Sequence, residues 1–378
     1  MLRKPLLLKI YDAASMQRWN DQVRFVELTE LDKQAHKMII AYVLGKYEEK
    51  RSGDFDWIKV IEGGIFELLQ RIVLTDLKPP LFHKIREDKE KYAELNKWIY
   101  DSVHPVIAHI GEGFSARFKK YLFSPEYDIH RRVLNAAHFY ATDWEFKIIE
   151  RCNPQGFQIG EIKNDLRAKQ EKYYSLDSMK SFLGNNDLRT FIDICGQLRF
   201  QIRWGNIHRV PKTSVLGHML IVSIYAYLFS LQINASPARC INNYFTGLFH
   251  DLPEVLTRDI INPVKSSVKG LEKLIKAYEK EEMENKIYKI IPAEWHADMR
   301  TYTESEFTDL EGPGGEVLRD GDILKAIDNL AAFIEAYLAW KNGIRNEYLV
   351  GARHSIAERY KAKTIKGIDF NEIYLDFE

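Results

Sequence analysis

Residues 247–259 read Gly-Leu-Phe-His-Asp-Leu-Pro-Glu-Val-Leu-Thr-Arg-Asp, and His250, Asp251, Glu254 and Asp259 within them can bind a metal or move a proton. An imidazole beside a carboxylate offers two ligand types at one place. On a helix the two side chains project roughly 100° apart, so an ion that takes both lies near a helix end. Two further ligand-type residues flank the pair: His218 upstream in an apolar stretch, and Asp328 downstream in another. This mixed nitrogen and oxygen set suits Zn, Mn, Fe, Co or Ni and does not choose among them. Glu254, three residues past Asp251, falls on nearly the same face. It is placed to take a proton from a water that one divalent ion has made more acidic.

The elements that must hold these residues read as helix nearly throughout. From Thr213 to Gln232 apolar residues cover most faces, as in a helix at the centre of a helical domain. Ser236-Pro237-Ala238 reads as an N-cap followed by proline at the first helical position, launching a helix through Tyr244 to His250. Pro253 removes a backbone N–H just after the pair, so that helix ends or restarts there. Leu271 to Tyr288 is charged and periodic, a solvated amphipathic helix. Glu311 to Gly315 is a loop, and Asp322 to Trp340 is another apolar helix that Lys341-Asn342-Gly343 ends. No alternating strand pattern stands out. The class is all-α.

The chain has 378 residues, enough for two domains, and is 46% hydrophobic and 29% charged, as in a soluble globular protein. Lys+Arg and Asp+Glu are each 54, so no basic excess argues for nucleic acid or an anionic membrane. Cys152, Cys195 and Cys240 share no metal-binding spacing and read as reduced thiols of a cytoplasmic protein. The N-terminus lacks an adequate signal-peptide core, and the apolar run from Met219 to Leu231 is too short to span a bilayer.

The sequence resembles the HD-domain metal-dependent phosphohydrolases, and within them the bacterial 5'-deoxyribonucleotidase branch. The matching residues are Arg203-Trp204, His218, His250-Asp251 with Glu254-Val-Leu-Thr and Asp259-Ile, Pro263-Val-Lys265, and Lys325-Ala-Ile-Asp328. The resemblance covers roughly residues 190–360. It implies His218, His250, Asp251 and Asp328 as metal ligands and Glu254 as the catalytic carboxylate. It also implies that Arg203 and Trp204 contact the nucleotide, and that Asp259 holds the sugar or assists the chemistry. A phosphate monoester needs charge neutralisation, which a metal and Arg203 supply, and Lys265 adds a positive charge near the phosphate. His208 and Arg209 are weaker candidates for the same phosphate. Gly217 stands where the family commonly carries an acidic residue, which removes an outer partner for His218. Arg258 stands where a glycine is usual.

The first half echoes the second. Gly64, Phe66 and Asp76 lie 183 residues before Gly247, Phe249 and Asp259, and Arg18-Trp19 lies 185 before Arg203-Trp204. His36 lies 182 before His218, and His138 lies 190 before Asp328. Markers recurring in one order predict an internal duplication, hence two tandem HD-like helical domains. These span 1–150 and 190–378 with a helical connection at 151–189. Glu67, Leu68 and Arg71 replace the His-Asp pair and the catalytic Glu, so the first copy has lost the site unless His36, Glu67 and His138 bind a metal differently. The expected activity is hydrolysis of a nucleoside 5'-monophosphate, the deoxy form foremost, with water activated by the metal as nucleophile. A nucleotide-sensing module without turnover, or hydrolysis of another nucleotide such as a triphosphate, is the alternative. The expected partner is a small-molecule nucleotide, not nucleic acid or membrane, in a monomeric pseudo-dimer or a homodimer.

Overall fold

A computed structural model describes residues 2–75, 77–124, 127–260 and 268–378. Its first half comprises α1 (Lys4–Ser15), α2 (Glu30–Ser52), α3 (Trp57–Leu74), α4 (Pro79–Glu87), α5 (Lys89–Ile107), α6 (Glu112–Phe123) and α7 (Ile129–Cys152). The polar stretch that follows is itself helical: α8 (Ile159–Tyr174), α9 (Asp177–Gly184) and α10 (Asn186–Gln197). The second half comprises α11 (Val215–Gln232), α12 (Pro237–Phe249), α13 (Glu254–Thr257), α14 (Leu271–Glu282), α15 (His296–Thr303), α16 (Gly321–Lys341), α17 (Glu347–Tyr360) and α18 (Phe370–Leu375). Among the described residues the strands are two short antiparallel hairpins, Leu310–Glu311 with Val317–Arg319 and Thr364–Ile365 with Ile368–Asp369. The loop expected at Glu311–Gly315 is the tip of the first. The all-α class holds.

Helix α11 is apolar on every face because it is enclosed. It is long and apolar enough to cross a membrane by length and composition, yet 89% of it is buried inside the fold. Ser214 caps it by accepting from the Gly217 N–H, and Ser236 caps α12 by accepting from the Arg239 N–H, with Pro237 at the first position as expected. The two helices cross at backbone contact. A Cβ on Gly247 would lie 2.7 Å from the Ser223 Cα and N. Only glycine allows that approach.

One hydrophobic cluster runs through both halves. Tyr42 of α2 packs edge-on against Phe245 and Phe249 of α12, with ring centroids 4.9 and 5.0 Å apart. Tyr11 donates to the Ala331 carbonyl at 2.9 Å, and Tyr225 to that of Leu7 at 2.7 Å, so their buried hydroxyls are satisfied across the halves.

Each half also carries a loop clamped ahead of its central helix. Isolated bridges pair Gln17 with Thr29 and Ile202 with Ser214, and the tryptophans that follow are left-handed, Trp19 at φ 55° and Trp204 at φ 58°. The Trp19 indole N–H donates to Glu145 at 2.9 Å and the Trp204 N–H to Glu335 at 2.6 Å. The neighbouring arginines join the same carboxylates, Arg18 to Glu145 at 2.8 Å and Arg203 to Glu335 at 3.3 Å. Arg18 reaches Glu30 as well, at 2.7 Å.

Two outcomes follow. Gly247→Ala forces α11 and α12 apart and is expected to destabilise the metal-free protein by about 1–3 kcal/mol, read by denaturant unfolding. Burial alone would raise the Glu30 pKa, but Arg18, Lys33 and Arg71 hold it at about 2. A depressed carboxylate gives stability that is complete above its unfolded pKa, roughly 4.3, and is lost as pH falls towards the folded value. Glu30→Gln is therefore expected to cost about 3 kcal/mol at pH 7 and to flatten the fall in stability between pH 5 and pH 2. An unchanged acid limb would refute this.

Candidate metal centre

His218 lies one turn inside α11 and is wholly buried. Helix α12 stops at Phe249, so His250 stands at its C-cap and Asp251 in the turn leading to α13. The pair thus sits at a helix end. The His250 Nδ1–H donates to the Gly247 carbonyl at 2.8 Å, which turns Nε2 towards the site. That nitrogen is buried, has no hydrogen-bond partner among the described residues, and lies 3.3 Å from Asp251 Oδ2. His218 Nε2 lies 3.7 Å from the same oxygen and 3.1 Å from Asp328 Oδ1. Ligand atoms of His218, His250 and Asp251 all fall within 4.8 Å of one another.

Acceptors converging on one buried point repel unless a proton or a cation lies between them. The set therefore fits a divalent transition metal held by two imidazoles and carboxylate oxygen, and His218, His250, Asp251 and Asp328 are the residues that would hold it. Burial alone would raise the Asp251 pKa, but His250, His218 and Arg203 overcome it and hold the carboxyl ionised. Asp328 is held low against the same desolvation by Lys325, whose Nζ lies 3.0 Å from Oδ2, and by His218.

Helix α16 carries Asp328, and its start is tied to α12. Arg239 makes two bonds to the buried Asp320, at 2.6 and 2.5 Å, and the Asn243 amide adds a third at 2.8 Å. This joins the two elements that deliver His250 and Asp328. Glu254 opens α13, is largely buried, and its backbone N–H bonds the Asp251 carbonyl at 3.0 Å.

Arg203 Nη1 lies 3.5 Å from Asp251 Oδ2, and the Trp204 ring meets Tyr348 edge-on at 5.7 Å. Burial works against the Arg203 charge, but Glu335, Asp259, Asp251 and Asp328 outweigh it and keep the guanidinium ionised. Asp259 thus acts on the same place. Lys265 and Pro263 lie outside the described residues. Arg209 is buried and donates to Thr213 Oγ1, which bonds Glu335. His208 is exposed. Arg258 is exposed too, with φ 66°, a left-handed backbone that explains why glycine suits the position. An acidic residue in place of Gly217 would need the Leu31 side chain to shift, since a Cβ would lie 2.9 Å from its Cδ2, and would stand 3.0 Å from Asp32 Oδ1. His218 Nδ1 is accordingly buried with no hydrogen-bond partner among the described residues.

Glu335 escaped the sequence reading. It is fully buried and binds Arg203, Trp204 and Thr213 at once. The available signal was an acidic residue in an apolar helix two turns after Asp328, on the same face.

Thr29 caps α2 and Ser214 caps α11, and four residues beyond each stand Lys33 and His218. Lys33 contacts His138, Nζ to Nε2 at 3.1 Å, and His218 contacts Asp328 at 3.1 Å. His36 stands seven residues beyond its cap, not four. One turn further along α2, it bonds the Ile192 carbonyl at 3.0 Å and meets Trp144 edge-on at 5.0 Å. Glu67 is taken by Lys37 and by Tyr121, the latter at 2.6 Å. Among the described residues the only cluster of three or more metal-ligand side chains is the one in the second half.

Comparison with known proteins agrees with this placement. Residues 195–368 match the HD domain family. Over 136 residues the chain is 28% identical to a 5'-deoxynucleotidase of Vibrio vulnificus, a match that takes in 35% of this chain and 66% of that relative. No solved structure matches the chain. Residues 195–368 thus match the HD domain family, and a stretch of 136 residues of the chain is similar to a 5'-deoxynucleotidase.

Proposed function

We propose that the second half is a metal-dependent phosphomonoesterase acting on nucleoside 5'-monophosphates, the deoxy forms foremost. The observation that carries this reading is the cluster of His218, His250 and Asp251, whose ligand atoms lie within 4.8 Å of one another, with Asp328 3.1 Å from His218 and Arg203 3.5 Å from Asp251. His218, His250, Asp251 and Asp328 would hold a divalent ion, which would supply an acidified water and charge to offset that of the phosphate. Arg203, held in place by Glu335, pairs with the phosphate oxygens. Glu254 takes the proton from the attacking water. Trp204 and Tyr348 offer flat faces to the nucleoside, and Asp259 accepts from its sugar or assists proton transfer. Lys265 adds positive charge.

We further read the two halves, 1–150 and 190–378 joined through 151–189, as copies of one HD-like unit packed as a pseudo-dimer. The paired Arg-Trp clamps, the equivalent caps at Thr29 and Ser214, and the shared core support that reading.

Purified protein supplied with Mn or Co is expected to release phosphate from a panel of nucleoside 5'-monophosphates. No release from any of them, with no metal on elemental analysis, would overturn the enzyme reading and leave a nucleotide-binding module. His250→Ala is expected to lose the metal as well as activity. Glu254→Ala should keep stoichiometric metal while turnover falls on the order of 10²–10⁴-fold. Full activity in that variant would remove Glu254 from the mechanism.

A further inference from the structure

Where the second half gathers acceptors, the first half gathers cations. Lys33 stands at the place of His218, and Arg71, 183 residues before Glu254, at the place of the base. Leu68 corresponds to Asp251, and a leucine neither ligates nor carries charge. The Arg18-Trp19 loop keeps the clamp that its counterpart has on Glu335, here on Glu145. The frame of a nucleotide site is retained, and what would be the metal is replaced by side-chain charge.

That charge is not fully neutralised. Arg18 pairs with Glu30 and Glu145, Arg71 lies 3.6 Å from Glu30, and Lys37 pairs with Glu67. Lys33 has a wholly buried side chain and, among the described residues, no carboxylate in contact, its polar partner being the ring of His138. Glu30 acts on the Lys33 charge through space without touching it, and an anion arriving beside the buried ammonium would lower the cost of burying it. His138, exposed, and Arg71, partly exposed, form the solvent side of this cluster. Burial pushes the Lys33 pKa down, which an approaching anion reverses.

We propose that the first half binds a phosphate group, as the free ion or as the 5'-phosphate of a nucleotide, on Lys33, Arg71 and His138, without metal and without hydrolysis. Lys33 and Arg71 supply donors and charge, and the ring of His138 donates at the rim. With Leu68 and Arg71 in place of a ligand and a base, no water is activated there. The proposal stands on the first half alone and does not depend on what the second half hydrolyses.

The test is calorimetric titration of the full chain in excess chelator with inorganic phosphate, a deoxynucleoside 5'-monophosphate and the deoxynucleoside. Phosphate and the monophosphate are expected to bind and the nucleoside not to. Tighter binding of the monophosphate identifies a nucleotide as the occupant, and equal binding identifies the phosphate ion. Lys33→Met should weaken binding at least tenfold, and Lys33→Arg should largely restore it. If Lys33→Met does not fold, Arg71→Gln at the partly exposed rim is expected to weaken binding severalfold. Absence of phosphate binding in the parent, affinity unchanged in Lys33→Met or Arg71→Gln, or nucleoside binding as tight as the monophosphate would each overturn the proposal.

Discussion

Glu145 and Glu335 lie at zero exposure, each near the middle of a helix otherwise committed to the core. Left alone, a carboxylate there would cost several kcal/mol in lost hydration. Each is answered by an arginine and a tryptophan N–H from a distant loop, and that answer fixes where the loop can lie. The Glu335 pKa, which burial by itself would raise, is brought to about 2 by Arg203 and Arg209. The helix thus does two tasks with one face: Asp328 looks towards the histidines, and Glu335, two turns on, holds the arginine beside them.

The same accounting of buried charge separates the halves. In the second, imidazole and carboxylate lone pairs face one another and call for a cation. In the first, lysine and arginine occupy the corresponding positions, and the nearby glutamates are already engaged. The backbone frame tolerates both solutions because the clamp and the core, rather than the site residues, carry the fold.

How much of this was legible follows from the range of the interactions. The caps at Ser236-Pro237, the enclosed α11 and the break at Pro253 are local, and the sequence reading found them. The ligand set was visible through residue type and order. The distances from the caps were not: His36 matches His218 by residue type, whereas it is Lys33 that stands four residues past its cap, as His218 does. Glu335 and the close passage at Gly247 were missed because each is defined by partners over twenty residues away, a contact that no local pattern encodes.

Trp19 and Trp204 both hold a left-handed backbone, at φ 55° and 58°. For a bulky side chain this conformation stores strain of about 1 kcal/mol, and glycine would relieve it. Glycine would also surrender the indole N–H that binds the buried glutamate. The bend is held from two sides, by the indole on the buried glutamate and by backbone bonds from the Arg203 N–H to the Thr213 carbonyl at 3.0 Å and from the Val215 N–H to the Gln201 carbonyl at 2.9 Å. The position of one charge at the site is thus set by a strained turn that its neighbours keep closed.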